Sequence, residues 1–134
     1  MDQIKTLQHT TTIYQNPQIA LYAKELAAKM PGNLKVCYFV NSGSEANDLA
    51  IMMARLYTGN EAIVGLRNAY HGLSPVSMAL TAHKSWKYKL PLGSGIYHTT
   101  NPDPYRGQYG NDGPRYAEVR VQTWSKGLGM LAAC

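Results

Sequence analysis

The sequence predicts an α/β fold, on three observations. Apolar residues recur at helical spacing after Asn16-Pro17 and again after Ser42, and two short runs, 36–40 and 62–66, are apolar without alternation. Runs that do not alternate suit strands covered on both faces, as in a parallel sheet. The resulting order of helix, strand, helix, strand, helix points to the α/β class. With 134 residues, 45% of them hydrophobic and 16% charged, the chain falls in the range of a single globular domain and outside that of disordered chains.

Each element has a local cause. Asn16 is placed to cap a helix and Pro17 to open it. Ile19, Tyr22, Ala23, Leu26, Ala27 and Met30 then form one apolar face, and Pro31-Gly32 ends it. The run Val36-Cys37-Tyr38-Phe39-Val40 reads as a buried strand. Ser42 starts a second amphipathic helix through Ala46, Leu49, Ala50, Met53 and Tyr57, with Gly59 as its C-terminal stop. A second short strand, 62–66, leads into the loop Arg67-Asn68-Ala69-Tyr70-His71-Gly72. Ser74-Pro75 begins a shorter helix that runs to about Thr81. From His83 onward the signals weaken, and the stretches 101–104 and 109–114 carry the Asn, Asp, Gly and Pro chemistry of loops.

The net charge of +5 does not by itself imply a nucleic-acid partner. The basic residues are dispersed, and the one cluster, Lys84, Lys87 and Lys89 around Trp86 and Tyr88, has no nucleic-acid motif beside it and reads as a solvated loop. No apolar run reaches the length of a membrane helix. Residues 1–9 show neither the hydrophobic stretch of a signal peptide nor the Arg-rich character of a transit peptide. Cys37 and Cys134 make no disulfide framework, and Cys37, inside an apolar run, reads as a buried reduced thiol in an intracellular protein. No metal-ligand pattern is present.

The chemistry lies in Asn41-Ser42-Gly43-Ser44-Glu45-Ala46-Asn47-Asp48. Ser42 and Glu45 have capping-box spacing, so a helix begins there with free backbone N–H groups and the positive end of its dipole. Gly43 permits close approach of a ligand and Ser44 adds a hydroxyl donor. This is an anion site suited to a phosphate, although the same capping pattern also starts many helices that bind nothing. Glycine-rich dinucleotide and Walker-type patterns are absent. At the end of the following strand, Tyr70 offers a flat ring for a planar group anchored by that phosphate. If the two strands lie side by side, both elements face one cleft, and Ser42, Gly43, Ser44 and Tyr70 become the candidate cofactor-binding residues.

Phe39-Val40-Asn41-Ser42-Gly43-Ser44-Glu45-Ala46-Asn47, followed by Arg67-Asn68-Ala69-Tyr70-His71-Gly72, resembles the class III pyridoxal-phosphate-dependent aminotransferases. Leu7-Gln8-His9-Thr10-Thr11-Thr12, Lys24-Glu25-Leu26-Ala27-Ala28-Lys29-Met30-Pro31 and Asn101-Pro102-Asp103-Pro104-Tyr105-Arg106-Gly107 narrow the resemblance to the family's alanine–glyoxylate branch, its plant forms in particular. It covers about residues 2–118. It implies a fold-type I large domain, incomplete here, with pyridoxal 5'-phosphate as cofactor, Gly43 and Ser44 on the phosphate and Tyr70 on the pyridine ring. Asn47 and Glu45 fall to capping and support of the turn, and His71 to a structural role. The implied substrates are an amino acid and a 2-oxo acid, the implied assembly a homo-oligomer, and the implied compartment mitochondrial or peroxisomal.

The family also requires a lysine that bonds the cofactor and an Asp for its ring nitrogen, both from later strands. That region is not matched here, so no catalytic residue is assigned and the chain alone is expected to be inactive. Residues 1–118 are expected to be part of the cofactor-binding domain, and 119–134 a divergent tail. Ser125-Lys126-Gly127-Leu128-Gly129 resembles the lysine motif but comes too early, without the preceding strands; it reads as the product of a shifted frame in preference to the alternative, an internal deletion or splice that joins the motif on. The alternative to an enzyme is a non-catalytic chain that holds the cofactor phosphate weakly or associates with complete subunits.

Overall fold

The structure, a computed structural model, describes residues 2–131, with side chains to residue 122; Cys134 lies outside the described residues. It is α/β and divides into two compact units, Met1–Phe39 and Val40–Cys134.

The first unit holds α1 (Asp2–Thr6) and α2 (Pro17–Ala27). The Asn16 side chain accepts from the Gln18 N–H at 3.0 Å, and Pro17 occupies the first turn, where its missing N–H costs nothing. The helix ends at Ala27; Lys29 and Met30 follow in turns that donate to the Leu26 and Ala27 carbonyls. Ala23, Leu26 and Ala27 are half-buried, whereas Ile19, Tyr22 and Met30 remain exposed. The chain folds back on this helix: the Phe39 ring stacks on Tyr22 with centroids 5.3 Å apart, and the Cys37 thiol meets the Ala23 carbonyl at 3.8 Å. Cys37 is a free thiol, half-buried rather than buried.

The expected strand at 36–40 is not a strand. Its residues join no ladder among the described residues, and Val36 is 82% exposed. An apolar, β-branched run favours extended backbone, but a strand exists only when a neighbour supplies ladder hydrogen bonds. That neighbour is not found here.

The second unit opens with α3 (Gly43–Thr58), which Gly59 closes in the left-handed conformation at φ 67°, its N–H on the Arg55 carbonyl. Next come β1 (Ile63–Leu66), α4 (Pro75–Leu80), a single 3-10 turn at Lys84–Trp86, β2 (Ile96–Thr99) and α5 (Gly113–Leu131). The two strands pair in parallel, Ile63 opposite Ile96 and Leu66 opposite Thr99, so the connection between them must cross over, and α4 lies within it. Arg55 ties the start of the sheet to the end of α3, its guanidinium donating to the Glu61 carbonyl at 2.9 Å and the Ser94 carbonyl at 3.4 Å. The core centres on α4: Ser77, Met78, Ala79 and Leu80 are buried, as is Thr81 just after it, together with Ile51 of α3, Thr99 of β2 and Tyr116 of α5.

Strand β2 and helix α5 lie where the sequence signals weaken. The helix nevertheless has a readable start, because the Asp112 carboxylate accepts from the Arg115 N–H at 3.0 Å and Pro114 stands in the first turn. Asn111-Asp112-Gly113-Pro114 is thus both a loop and a helix cap.

Candidate functional site

The first turn of α3 is built as its sequence requires. The Ser42 hydroxyl accepts from the Glu45 N–H at 3.2 Å, and the Glu45 carboxylate accepts from the Asn41 N–H at 2.6 Å. The reciprocal bond of this capping box therefore closes one residue earlier than the common form, in which the N-cap residue's own amide donates. The N–H groups of Gly43 and Ser44 find no acceptor among the described residues, as expected of the first amides of a helix. Beside Gly43 the space is open: a Cβ there would meet nothing within 4 Å.

Ser44, Asn47 and Asp48 lie on one face of α3, at positions i, i+3 and i+4. Each holds the segment that follows β1. The Leu73 N–H donates to the Ser44 hydroxyl at 3.2 Å, the Asn47 amide donates to the His71 carbonyl at 2.6 Å, and the Asp48 carboxylate accepts from the Ser74 hydroxyl at 2.7 Å and the Ser77 N–H at 3.1 Å. Asp48 thereby supplies negative charge at the N-terminus of α4 from another helix, beside that helix's own cap, Ser74. From the far end of α4, the Thr81 hydroxyl receives the His71 N–H at 2.8 Å and lies 3.2 Å from the Gly72 carbonyl. Gly72 is required at its place: its φ is +123°, and a Cβ would run into the side chains of Ser44 and Ser77.

This sewing brings the Tyr70 loop to the start of α3. Of the two strands expected to lie side by side, the first, 36–40, does not form; side-chain hydrogen bonds from α3 do the joining instead. Ser42 and Gly43 are exposed and Ser44 is half-buried. Tyr70 is 50% exposed, its ring edge-on to Trp86 with centroids 5.5 Å apart. His71 holds the loop through its backbone, while its Nε2 is buried without a partner. Burial and the neighbouring His98 lower its pKa from the ordinary 6.5.

Asp48, Ser74, Ser77, Thr81 and Trp86 were not among the expected site residues, although Ser74 was expected to start a helix. Two signals could have found the first three: Asp48 stands one turn after Ser44, and Ser74 and Ser77 have the spacing of a cap and the amide it serves. Thr81 and Trp86 carry no such pattern, because their roles depend on how the crossover folds.

Chemically, Ser44 is the informative group. A hydroxyl has one proton to give and two lone pairs to accept with. The Leu73 amide takes one lone pair and leaves the proton to donate, next to two unfilled amides at a helix N-terminus. An anion fits there, and a half-exposed aromatic ring on the adjoining loop fits a planar group attached to that anion.

Fold and site together define a parallel α/β unit with an anion-ready helix start, and its likeness to solved transaminases gives the fold class, fold-type I. A profile of the aminotransferase class-III family matches residues 1–128, and the chain belongs to that family. It is 51% identical over 118 residues to alanine–glyoxylate aminotransferase 2 homolog 2, mitochondrial, of Arabidopsis thaliana, covering 88% of this chain and 24% of that protein. Over 119 residues it is 44% identical to human alanine–glyoxylate aminotransferase 2, mitochondrial, covering 89% and 23%. Among solved structures it resembles an (S)-enantioselective omega-transaminase from Thermomicrobium roseum, with a TM-score of 0.78 and 28% identity over 96% of this chain and 31% of that one. A PMP-bound aminotransferase from Vibrio fluvialis matches with a TM-score of 0.75 and 27% identity over 93% and 30%. The chain thus spans about a quarter of the length of these curated relatives.

Proposed function

We propose that the chain is part of a pyridoxal-phosphate-dependent transaminase of the alanine–glyoxylate type, with residues 1–118 in its cofactor-binding domain and 119–134 a divergent tail. Ser42, Gly43 and Ser44 hold the cofactor phosphate through backbone amides and the Ser44 hydroxyl, and Tyr70 covers the pyridine ring. When bound, the cofactor supplies the electron sink for moving an amino group between an amino acid and a 2-oxo acid. The residues present here bind and orient; the lysine that bonds the cofactor and the Asp for its ring nitrogen belong to the remainder of the enzyme, so this chain alone does not turn over substrate. The relatives' names favour a mitochondrial location and give no support to a peroxisomal one. No helix among the described residues is long and apolar enough to cross a membrane.

The observation that carries the reading is the Ser44 hydroxyl, fixed by the Leu73 amide with its proton unspent. Titrating pyridoxal phosphate into the chain and into Ser44→Ala tests it. Saturable binding is expected, weakened about tenfold in the variant by the loss of one hydrogen bond to a charged group, worth roughly 1.5 kcal/mol. Equal binding by both chains refutes the phosphate assignment. Borohydride trapping on the same samples tests incompetence: stoichiometric labelling of Lys126 would show that the chain supplies its own cofactor lysine.

A second reading, association of a non-catalytic chain with complete subunits, is favoured by the large apolar side chains left open to solvent, Leu56 at 77% and Tyr57 at 93% exposure on α3. Co-purification with the complete enzyme checks it, and a strictly monomeric chain that never associates removes its support.

A further inference from the structure

The backbone around Tyr70 is fixed on both sides. On one side the Ala69 carbonyl accepts from Ala82 at 2.9 Å and from His83 at 3.3 Å. On the other, His71 is held through its carbonyl by Asn47 and through its N–H by Thr81. The tyrosine ring has no such fixture. A side chain on a fixed backbone still has several staggered wells to choose from, and a ring half open to solvent is free to leave any one of them. Trp86 is the one aromatic partner of that ring among the described residues, set edge to face at 63°. The same Ala69 carbonyl that anchors the loop also anchors the turn bearing Trp86: His83, which donates to it, accepts from the Trp86 N–H at 3.0 Å, and the Lys87 ammonium closes the turn on the Ala79 carbonyl at 3.3 Å. Tyr70 and Trp86 therefore hang from one peptide, one directly and one through His83.

From this geometry we infer that Trp86 is a positioning residue, which holds the Tyr70 ring in the orientation that receives the cofactor's pyridine ring. The inference rests on the cofactor reading above and deepens it. The residue acts through Tyr70, and its contribution is preorganisation: the cost of ordering the ring is met before binding and not during it. An edge-to-face pair of this kind is worth a factor of about three to ten in an equilibrium constant.

The test is a double-mutant cycle on cofactor affinity, read by the circular dichroism that the bound cofactor acquires from its chiral site. Trp86→Ala is expected to weaken pyridoxal phosphate binding about three- to tenfold and to reduce the induced signal at saturation. Trp86→Phe, which keeps an edge to offer, restores most of both. In a Tyr70→Ala background, Trp86→Ala has no further effect. Because Trp86 is 56% exposed, the thermal midpoint of Trp86→Ala stays near that of the parent chain, which separates lost positioning from lost folding. If Trp86→Ala binds as the parent does while Tyr70→Ala loses affinity, Tyr70 stacks unaided and the inference fails with the cofactor reading intact. If the parent chain gives no saturable signal, the cofactor reading fails and takes the inference with it.

Discussion

Removing the Asp48 carboxylate tests whether α3 holds the Tyr70 loop in place. In the structure one oxygen, Oδ1, accepts from both the Ser74 hydroxyl at 2.7 Å and the Ser77 N–H at 3.1 Å, and Ser77 is fully buried. Hydrogen bonds to a charged group contribute about 1.5–3 kcal/mol each. Both donors keep a fallback in Asp48→Ala: the Ser77 amide retains the Ser74 hydroxyl at 3.3 Å, and the two serine hydroxyls retain each other. The expected cost is therefore nearer one such bond than two, about 2 kcal/mol. For a unit of this size that lowers the thermal midpoint by roughly 8–16 °C. Asp48→Asn keeps an acceptor oxygen in the same place and loses only the charge, so about 1 kcal/mol is expected. Urea unfolding followed by far-ultraviolet circular dichroism gives both values, and the order Ala worse than Asn is as informative as the sizes. An alanine variant within about 0.5 kcal/mol of the parent, or an asparagine variant as damaged as the alanine one, would refute the claim that this carboxylate joins α3 to the start of α4.

Two further outcomes follow from the same region. Gly72→Ala forces a side chain into φ +123° and against the Ser44 and Ser77 side chains, so a loss of about 3 kcal/mol in urea unfolding is expected, and a neutral result would contradict the packing described. His71 gives a pH dependence: its folded pKa lies below the unfolded 6.5, so the unfolded chain binds the proton first. Stability is unaffected above 6.5 and falls as pH drops from there toward the folded pKa. His71→Asn should flatten that part of the pH–stability curve, measured by urea midpoints across the range, and an unchanged slope removes His71 as the cause.

The parts of this molecule that the sequence states outright are those whose physics is local. Asn16 with Pro17, Ser42 with Glu45, Gly59 and Ser74 with Pro75 each set a helix boundary within a few residues, and all appear where their side chains require. The run 36–40 is the opposite case. Its composition is apolar and rich in strand formers, but pairing is a property of two segments, and composition describes only one. Strand β2 shows the same limit in reverse. Ile96-Tyr97-His98-Thr99 is too short and too polar to announce itself, and becomes a strand because β1 lies beside it in register.

The candidate site mixes these two kinds of information. Ser42, Gly43 and Ser44 are legible because an anion-ready helix start is a local construction. That Tyr70 belongs with them is not local, and the strand pair expected to bring it there does not form. The placement is secured by one face of α3, where Ser44, Asn47 and Asp48 reach Leu73, His71 and the start of α4 in turn. The residues of this helix face do two tasks at once, since Ser44 both accepts from the loop and keeps a proton for a ligand. A substitution there changes binding and loop position together, whereas Trp86, outside the hydrogen-bonded seam, offers a way to change ring orientation alone. Comparing Ser44→Ala with Trp86→Ala in one binding assay therefore separates how tightly the anion is held from how well the ring above it is aimed.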